Sequence, residues 1–307
     1  MKPNCSAVIP VYNSEKSLED LISRLTVEMR ELFNNYEIIL VNDGSSDESW
    51  EIISKHAKNS LHILGINLRR NYGQHNALLC GIRKAKFEYT LTMDDDLQHP
   101  PEEIHKLLAA MQKGYDVIYG IPNKRPHSSW RNFFSKYVKL ILARLMGIAC
   151  VRDISSFRFF RTNLRDAFAC FNSPNVIVDA LLSWGTTNFG TAIVDESPRI
   201  VGKSNYNFIK LAKMSMLILT GFSTVPLRVA SLVGFSFTVF GFFILIYIII
   251  RFLIIGSIPG FPFLASIITI FSGTQLFALG IFGEYLAHIF ERSTERPPYV
   301  IEKTLSK

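Results

Sequence analysis

Between Arg228 and Glu284 the chain carries a single charged residue, Arg251. Val229 to Ile250 contains none, and neither does Phe252 to Gly283. A helix needs roughly 20 consecutive apolar residues to cross a bilayer. The first run is therefore expected to span at 229–250, and the second supplies another span at about 262–283. Gly256-Ser257-Ile258-Pro259-Gly260 lies between them and has the turn chemistry of a tight helical hairpin. A soluble core can hold one such helix, but two in tandem favour lipid. Arg199, Lys203, Lys210, Lys213 and Arg228 precede the pair, and Arg292, Arg296, Lys303 and Lys307 follow it. Lys and Arg concentrate on the cytoplasmic side of spanning helices, so both flanks and the large N-terminal part are expected there. No secretory signal is expected, because Met1-Lys2-Pro3-Asn4 leads straight into a strand-like segment.

The first 120 or so residues alternate strand and helix patterns. Ala7 to Tyr12 is a short apolar run, with Asn13 and Ser14 positioned to cap a helix reaching about Leu32. Tyr36 to Val41 reads as a second strand, and Ser45 and Glu48 have capping-box spacing for a helix through Ala57. Leu61 to Leu68, Glu88 to Met93 and Tyr115 to Tyr119 read as further strands. Helices are predicted at Gln74–Ala85 and at Pro101–Lys113, the latter closed by Gly114. Strands alternating with helices of this length predict an α/β fold: a mostly parallel sheet with helices on both faces.

Between Asp116 and Asp153 there is no acidic residue but seven basic ones, Lys124, Arg125, Arg131, Lys136, Lys139, Arg144 and Arg152. Trp130, Phe133, Phe134, Tyr137, Leu140, Ile141 and Leu145 interleave with them. The pattern suits a basic amphipathic helix, about 128–146, lying on an anionic membrane surface. A second interfacial helix is expected at 206–225. Nucleic acid attracts such a face too, but beside two spans lipid is the nearer polyanion, and no nucleic-acid partner is expected. The expected domains are therefore 1–205, the juxtamembrane helix, a hairpin at 226–283 and a cytoplasmic tail at 284–307.

The chemistry concentrates in Asp94-Asp95-Asp96-Leu97-Gln98, which follows a strand and precedes the helix start Pro100-Pro101-Glu102. Packing three like charges together is unfavourable, and a hard cation such as Mg²⁺ or Mn²⁺ relieves it while sharing its oxygen ligands with substrate phosphates. Open α/β sheets bind ligands at the carboxyl ends of their strands, where these residues fall. The competing reading is an acidic loop capping the next helix. Asp43 ends the second strand and can accept hydrogen bonds from a base or ribose, whereas Asp47 is explained as a helix N-terminal charge. Gly-x-Gly-x-x-Gly, a P-loop, His-Glu-x-x-His and Gly-x-Ser-x-Gly are all absent. His75, His99 and Cys80 lack metal-ligand spacing and read as ordinary helix or loop residues. The four cysteines form no Cys-x-x-Cys pair and fit a reducing compartment.

Val8-Ile9-Pro10-Val11-Tyr12-Asn13, Val41 to Asp47, and Asp94 to Glu102 resemble the signature blocks of family 2 glycosyltransferases with the GT-A fold. More narrowly they are similar to polyprenyl-phosphate glycosyltransferases: dolichol-phosphate mannose synthases, bactoprenol glucosyltransferases and undecaprenyl-phosphate aminoarabinose transferases. Leu68 to Ala77 resembles the last group most. Pro226-Leu227-Arg228, Gly283-Glu284-Tyr285 and Arg296-Pro297-Pro298-Tyr299 extend the similarity over nearly the whole chain. It implies an inverting, metal-dependent transferase that moves a sugar from a nucleotide diphosphate, a uridine one by family habit, to polyprenyl phosphate. The implied location is the cytoplasmic leaflet of a bacterial inner membrane, and relatives assemble as tetramers. The resemblance gives Asp94 to the ribose and metal region, Asp96 and Gln98 to the cation (Mg²⁺ or Mn²⁺), and Asp95 to a spacer position. Asp43, with Pro10 and Tyr12, would line the nucleobase pocket. Arg125, Arg131, Arg158, Arg199 and Lys203 would hold the diphosphate and the acceptor phosphate, with Arg158 counted among the catalytic residues.

Two positions depart from the pattern. Ser156 stands where many relatives carry an Asp proposed as base, and Asp153 is three residues off the match. Asn205 stands where relatives often have Lys; either Lys203 supplies that charge or the grip on the acceptor is weaker. Two other readings are distinguishable from sequence. A processive polysaccharide synthase would carry Gln-x-x-Arg-Trp, which is absent. Against a non-catalytic nucleotide-sugar-binding membrane protein stand the carboxylates of Asp43, Asp94 and Asp96.

Overall fold

The computed structural model describes residues 2–122, 155–197, 224–255 and 260–307. The basic segment expected at 128–146 and residues 206–223 of the juxtamembrane helix lie outside them. The chain divides into two compact units, Met1–Asn207 with Glu295–Lys307, and Phe208–Thr294.

The first unit is built on a sheet that has eight strands among the described residues, in the order β7-β5-β6-β4-β1-β2-β3-β8. These are β1 Cys5–Val11, β2 Tyr36–Asn42, β3 Ile63–Leu68, β4 Tyr89–Thr92, β5 Val117–Pro122, β6 Arg158–Arg161, β7 Phe189–Val194 and β8 Ile301–Leu305. β1 pairs in parallel with β2 and β4, β2 with β3, and β5 with β7. β6 and β8 run antiparallel to their neighbours. The sheet is thus mixed, and six strands, β1 to β5 and β7, end at one edge.

Every residue of β1 and of β2 is buried, which requires cover on both faces. On one face Ala7, Ile9 and Val11 join Leu18, Leu21, Ile22 and Leu25 of α1 (Glu15–Leu32), Ile53 of α2 (Ser49–Asn59) and Leu107 of α4 (Ile104–Met111) in a single core. On the other, α3 (Gln74–Lys84) brings Gly81 against Val8 and Val41. A short helix, α5 (Val178–Gly185), precedes β7.

The sequence pattern located β1 to β5 and α1 to α4 within a few residues. It missed β6, β7 and β8. Arg158-Phe159-Phe160-Arg161 is too short to show alternation, and β8 (Ile-Glu-Lys-Thr-Leu) is a polar edge strand. The tail expected at 284–307 is revised accordingly. Its first residues belong to a helix, and its last ones form the sheet edge beside β3.

The second unit contains α6 (Val225–Ile255) and α7 (Phe261–Ser293). One helical stretch among the described residues, Val225–Arg251, is long and apolar enough to cross a membrane by length and composition. Several of its large side chains are exposed, Phe235 at 67% and Phe243 at 64%. Phe237 of α6 meets Phe271 of α7 edge to face at 5.8 Å. Gly241 makes room for the contact, since a Cβ there would stand 3.0 Å from the Phe271 ring.

Gly81 supplies a test of the first unit. In an isolated helix Ala is better than Gly by about 1 kcal/mol. Here an added Cβ would lie 2.3 Å from Val8 Cγ1 and 3.2 Å from Val41 Cγ2, both in the sheet. Overpacking of a dense core costs about 1–3 kcal/mol and outweighs the propensity gain. Gly81→Ala is expected to lower the melting temperature of the purified protein, measured by thermal denaturation in detergent.

Candidate active site

A cavity of about 220 Å³ opens at the carboxyl edge of the sheet, lined by Pro10, Val11, Tyr12, Asp43, Asn71, Gly73, Gln74, Asp94, Asp95 and Asp96. It lies where β1, β2, β3 and β4 release their loops, the place an open α/β sheet offers a ligand. Five residues expected from sequence, Pro10, Tyr12, Asp43, Asp94 and Asp96, meet there.

Each carboxylate is held by a different loop. Asp94 Oδ1 accepts from Gln74 Nε2 at 2.6 Å, and its Oδ2 accepts from Ser156 Oγ at 2.7 Å. Asp95 Oδ2 accepts from the Tyr12 N–H at 3.1 Å and from the Ser14 hydroxyl, while its carbonyl accepts from Ser17 Oγ at 2.7 Å. Asp96 Oδ1 accepts from the Gln98 N–H at 3.1 Å. That last contact requires the chain to double back, and Leu97 between them takes the left-handed conformation at φ 58° while burying its side chain. A branched residue held there is strained, and such strain concentrates at functional turns.

Burial is the main electrostatic fact of the cluster. It pushes the Asp94 carboxyl above its ordinary range, with Ser156 pulling the other way and the Asp96 charge adding to the rise. It pushes Asp95 up to about 6, against the donors Ser14 and Tyr12. The cluster is therefore short of positive charge. Among the described residues no group of three or more His, Cys, Asp or Glu side chains is arranged as a ready metal cage. Mg²⁺ is usually held by one or two carboxylates together with substrate phosphates and needs no such cage. Asp94 and Asp96 fit such a role. The Gln98 side chain does not line the cavity; its N–H serves Asp96 and its carbonyl accepts from the Ser197 N–H.

Asp43 is 2% exposed, with Oδ1 accepting from the Tyr72 N–H at 2.7 Å and Oδ2 from the Gly73 N–H at 2.8 Å. Burial raises its pKa against those two donors. The carboxylate thus fixes the β3–α3 loop that supplies Asn71 and Gly73 to the cavity wall. Gly44 completes this contact at φ 68°, where a Cβ would stand 2.6 Å from Arg70 C and Asn71 N.

Arg158 occupies a different place from the phosphate-facing one implied for it. Its side chain is 3% exposed. The guanidinium fork closes on Asp179, Nε to Oδ1 at 2.7 Å and Nη2 to Oδ2 at 2.9 Å. Tyr119 Oη donates to the same Asp179 Oδ1 at 3.0 Å. Arg158 Nη1 reaches the Ser156 carbonyl at 3.4 Å, beneath the hydroxyl that holds Asp94. Arg158 is consequently a positioning residue in this arrangement. Asp179, which no sequence motif marks, is its partner. Arg125, Arg131, Arg199 and Lys203 lie outside the described residues.

Several helix-cap signals serve the site instead. Ser14 donates to Asp95, Asn13 Oδ1 accepts from the Ser46 N–H at 2.9 Å, and Ser45 Oγ donates to Asn42 Oδ1 at 2.6 Å. Neither Ser14 nor Ser45 makes a side-chain cap to its helix. Asp47 does cap, accepting from the N–H groups of Glu15 and Ser49, each at 3.1 Å. His75 Nδ1 accepts from the Val178 N–H at 3.4 Å, His99 stacks on Phe157 at 5.2 Å, and Cys80 is buried.

A mixed α/β sheet with an acidic cavity at its carboxyl edge is the architecture of a small-ligand site in an open α/β fold, and comparison with known proteins narrows this. Residues 6–168 match the model of glycosyl transferase family 2, and the chain belongs to that family. It is a glycosyltransferase. It is 34% identical over 304 residues to the undecaprenyl-phosphate 4-deoxy-4-formamido-L-arabinose transferase of Pseudomonas savastanoi pv. phaseolicola, covering 98% of this chain and 90% of that protein. The transferase of the same name from Proteus mirabilis is 35% identical, covering 98% and 93%. In fold the chain is similar to glucosyl-3-phosphoglycerate synthase from Mycobacterium tuberculosis, solved with Mn²⁺ and UDP-glucose. That likeness has a TM-score of 0.50 at 17% identity and covers 71% of this chain and 77% of that one.

Two outcomes test the site. Asp95, implied to be a spacer, ties Tyr12 and Ser14 to the cluster, and hydrogen bonds to a charged group contribute about 1.5–3 kcal/mol. Asp95→Ala is expected to lower kcat/KM by about tenfold or more, whereas Asp95→Asn, which keeps an acceptor oxygen, should lose less in the same steady-state assay. Removing one member of a buried pair costs about 3–5 kcal/mol, while apolar replacement of both is often neutral. Asp179→Ala should therefore destabilise strongly in a melting experiment, and the combination of Arg158→Met with Asp179→Leu should recover most of the loss.

Proposed function

We propose that this glycosyltransferase moves a sugar from a uridine diphosphate donor to undecaprenyl phosphate at the cytoplasmic leaflet of the bacterial inner membrane. The observation that carries the reading is the half-buried, crowded cluster of Asp94, Asp95 and Asp96 beside the loop fixed by Asp43. It is a site built to receive a diphosphate together with a divalent cation, Mg²⁺ or Mn²⁺. The names of the full-length relatives support the lipid acceptor and make 4-deoxy-4-formamido-L-arabinose the first donor sugar to test. The product would serve as a lipid-linked sugar for envelope or lipid A modification.

In this reading α6 and α7 are two spans joined by a hairpin, with both termini cytoplasmic, and relatives' habits favour a homo-oligomer. Pro10 and Tyr12 would line the base, and Asp43 would keep the Asn71–Gly73 wall in place. Asp94 and Asp96 would face the diphosphate. A bound divalent cation would neutralise the charge that builds on the departing nucleoside diphosphate. Arg125, Arg131, Arg199 and Lys203 would hold phosphate oxygens, with guanidinium forks matching them geometrically.

The bond formed joins an acceptor phosphate oxygen to the anomeric carbon, and the bond broken joins that carbon to the donor diphosphate. Attack in line inverts the centre. A phosphomonoester has a second pKa of about 6, so the acceptor oxygen is already largely deprotonated at neutral pH. The absence of an Asp at Ser156 then costs little, and Ser156 has another task in donating its hydroxyl to Asp94. Positioning and charge neutralisation supply most of the rate.

Asp96→Ala is expected to abolish transfer, below about one part in a hundred of wild type given the size of such electrostatic contributions, with insertion and folding intact. The measurement is mass spectrometry of the lipid product from undecaprenyl phosphate and candidate UDP-sugars, alongside circular dichroism. Wild-type turnover in that variant would sink the reading.

A further inference from the structure

Residues 295–307 lie outside the segment that matches the family model, yet they complete the sheet beside the cavity. β8 pairs antiparallel with β3, Lys303 opposite Asn67 and Ile301 opposite Leu68. Just beyond, the Arg69 N–H donates to the Val300 carbonyl at 3.0 Å, immediately before the loop that brings Asn71 and Gly73 to the cavity.

A run of side chains leads inward from this strand. Asn67 Nδ2 donates to Glu302 Oε2 at 2.8 Å, and Asn42 Nδ2 donates to Asn67 Oδ1 at 2.7 Å. The Ser45 hydroxyl donates to Asn42 Oδ1 at 2.6 Å, and the Asn13 N–H donates to Ser45 Oγ at 3.0 Å. All four donors point the same way, toward the Glu302 carboxylate. Hydrogen bonds aligned in one sense polarise one another, and a charged terminal acceptor strengthens the set. The run starts at Asn13, which sits in the left-handed region at φ 53° next to Tyr12, a residue of the cavity wall. It crosses Asn42, 2% exposed, whose amide has to find partners inside the protein.

We infer that Glu302 is a positioning residue for the donor: the C-terminal strand fixes the Tyr12–Asn13 wall of the nucleotide pocket through the relay Asn67–Asn42–Ser45. The inference rests on the reading of the cavity as a nucleoside-diphosphate site. The plain alternative is that β8 merely shields the edge of β3 from other chains. A shielding strand is indifferent to which side chain stands at 302, whereas a relay needs an acceptor there. Glu302 is exposed on an edge strand, so its replacement leaves the core untouched.

The test uses the full-length protein in detergent, titrated calorimetrically with UDP, together with steady-state kinetics on the donor. Glu302→Ala is expected to weaken UDP binding and raise the donor KM by about threefold to tenfold, the net effect of one solvent-exposed hydrogen bond, at unchanged kcat. Glu302→Gln keeps a carbonyl oxygen for Asn67 and should stay within about twofold of wild type. Equal UDP affinity for Glu302→Ala and wild type overturns the inference, and so does equal loss in the Ala and Gln variants. A wild-type protein that binds no UDP overturns the nucleotide reading itself and the relay's role with it, an outcome distinct from both.

Discussion

Three carboxylates crowded at the end of one buried strand set the terms for the rest of the first unit. Left to themselves, Asp94, Asp95 and Asp96 would repel one another and turn toward water. They are instead divided among three anchors: Gln74 and Ser156 on Asp94, Tyr12 and Ser14 on Asp95, and the Gln98 amide on Asp96. Those anchors come from the β1–α1 loop, the start of α3, the strand entering β6 and the turn after β4. Parallel pairing of β1 with β4, and antiparallel pairing of β4 with β6, bring them to one edge. Hydrogen bonds reduce the cost of burial but do not cancel it, as the raised Asp94 and Asp95 show. The remaining deficit is one that a divalent cation can fill.

The same arrangement explains why a buried ion pair sits beneath the cluster. An ion pair in a low-dielectric interior is tolerable only when fully matched. Arg158 and Asp179 are matched bidentately, with Tyr119 on the same carboxylate oxygen. Their worth to the site is geometric more than energetic. The guanidinium reaches the Ser156 carbonyl, and Thr92 Oγ1 donates to that carbonyl at 2.9 Å, so the residue that holds Asp94 is itself held. An arginine that looks from sequence like a phosphate ligand is thereby engaged by Asp179 and by the loop that carries Ser156.

What could be read in advance follows the range of the physics involved. Local periodicity placed β1 to β5 and α1 to α4, because their apolar faces repeat within a few residues. The acidic run was legible because three adjacent charges at a strand end are unfavourable anywhere in the chain. Asp43 and Asp94 were found, but their hydrogen-bond partners, Gly73 and Gln74 among them, are set by loops meeting in space and leave no local mark. Asp179 was invisible for the same reason, being a lone acid in an otherwise apolar segment. Ser14 and Ser45 misled in the opposite direction. Their spacing fits helix capping, yet in the fold their hydroxyls find stronger partners in a buried carboxylate and a buried amide.

The C-terminal strand extends this logic to the polarity of the chain. A short strand with Glu302, Lys303 and Thr304 has no reason of its own to fold, since it buries little and its β-propensity is modest. It acquires one from β3, whose outer edge would otherwise present unpaired amides. Because β3 leads directly into the Arg69–Gly73 loop, covering its edge and shaping the cavity wall are the same event. The strand that closes the sheet also follows α7 directly in sequence, after Arg296-Pro297-Pro298-Tyr299. Tyr299 lies against the Arg83 guanidinium of α3, at 5.8 Å from its ring, which fixes the approach of that strand to the sheet. The donor side of the pocket is thus assembled from both ends of the chain, the first turn after β1 and the last strand, through amides and hydroxyls that all donate in one direction.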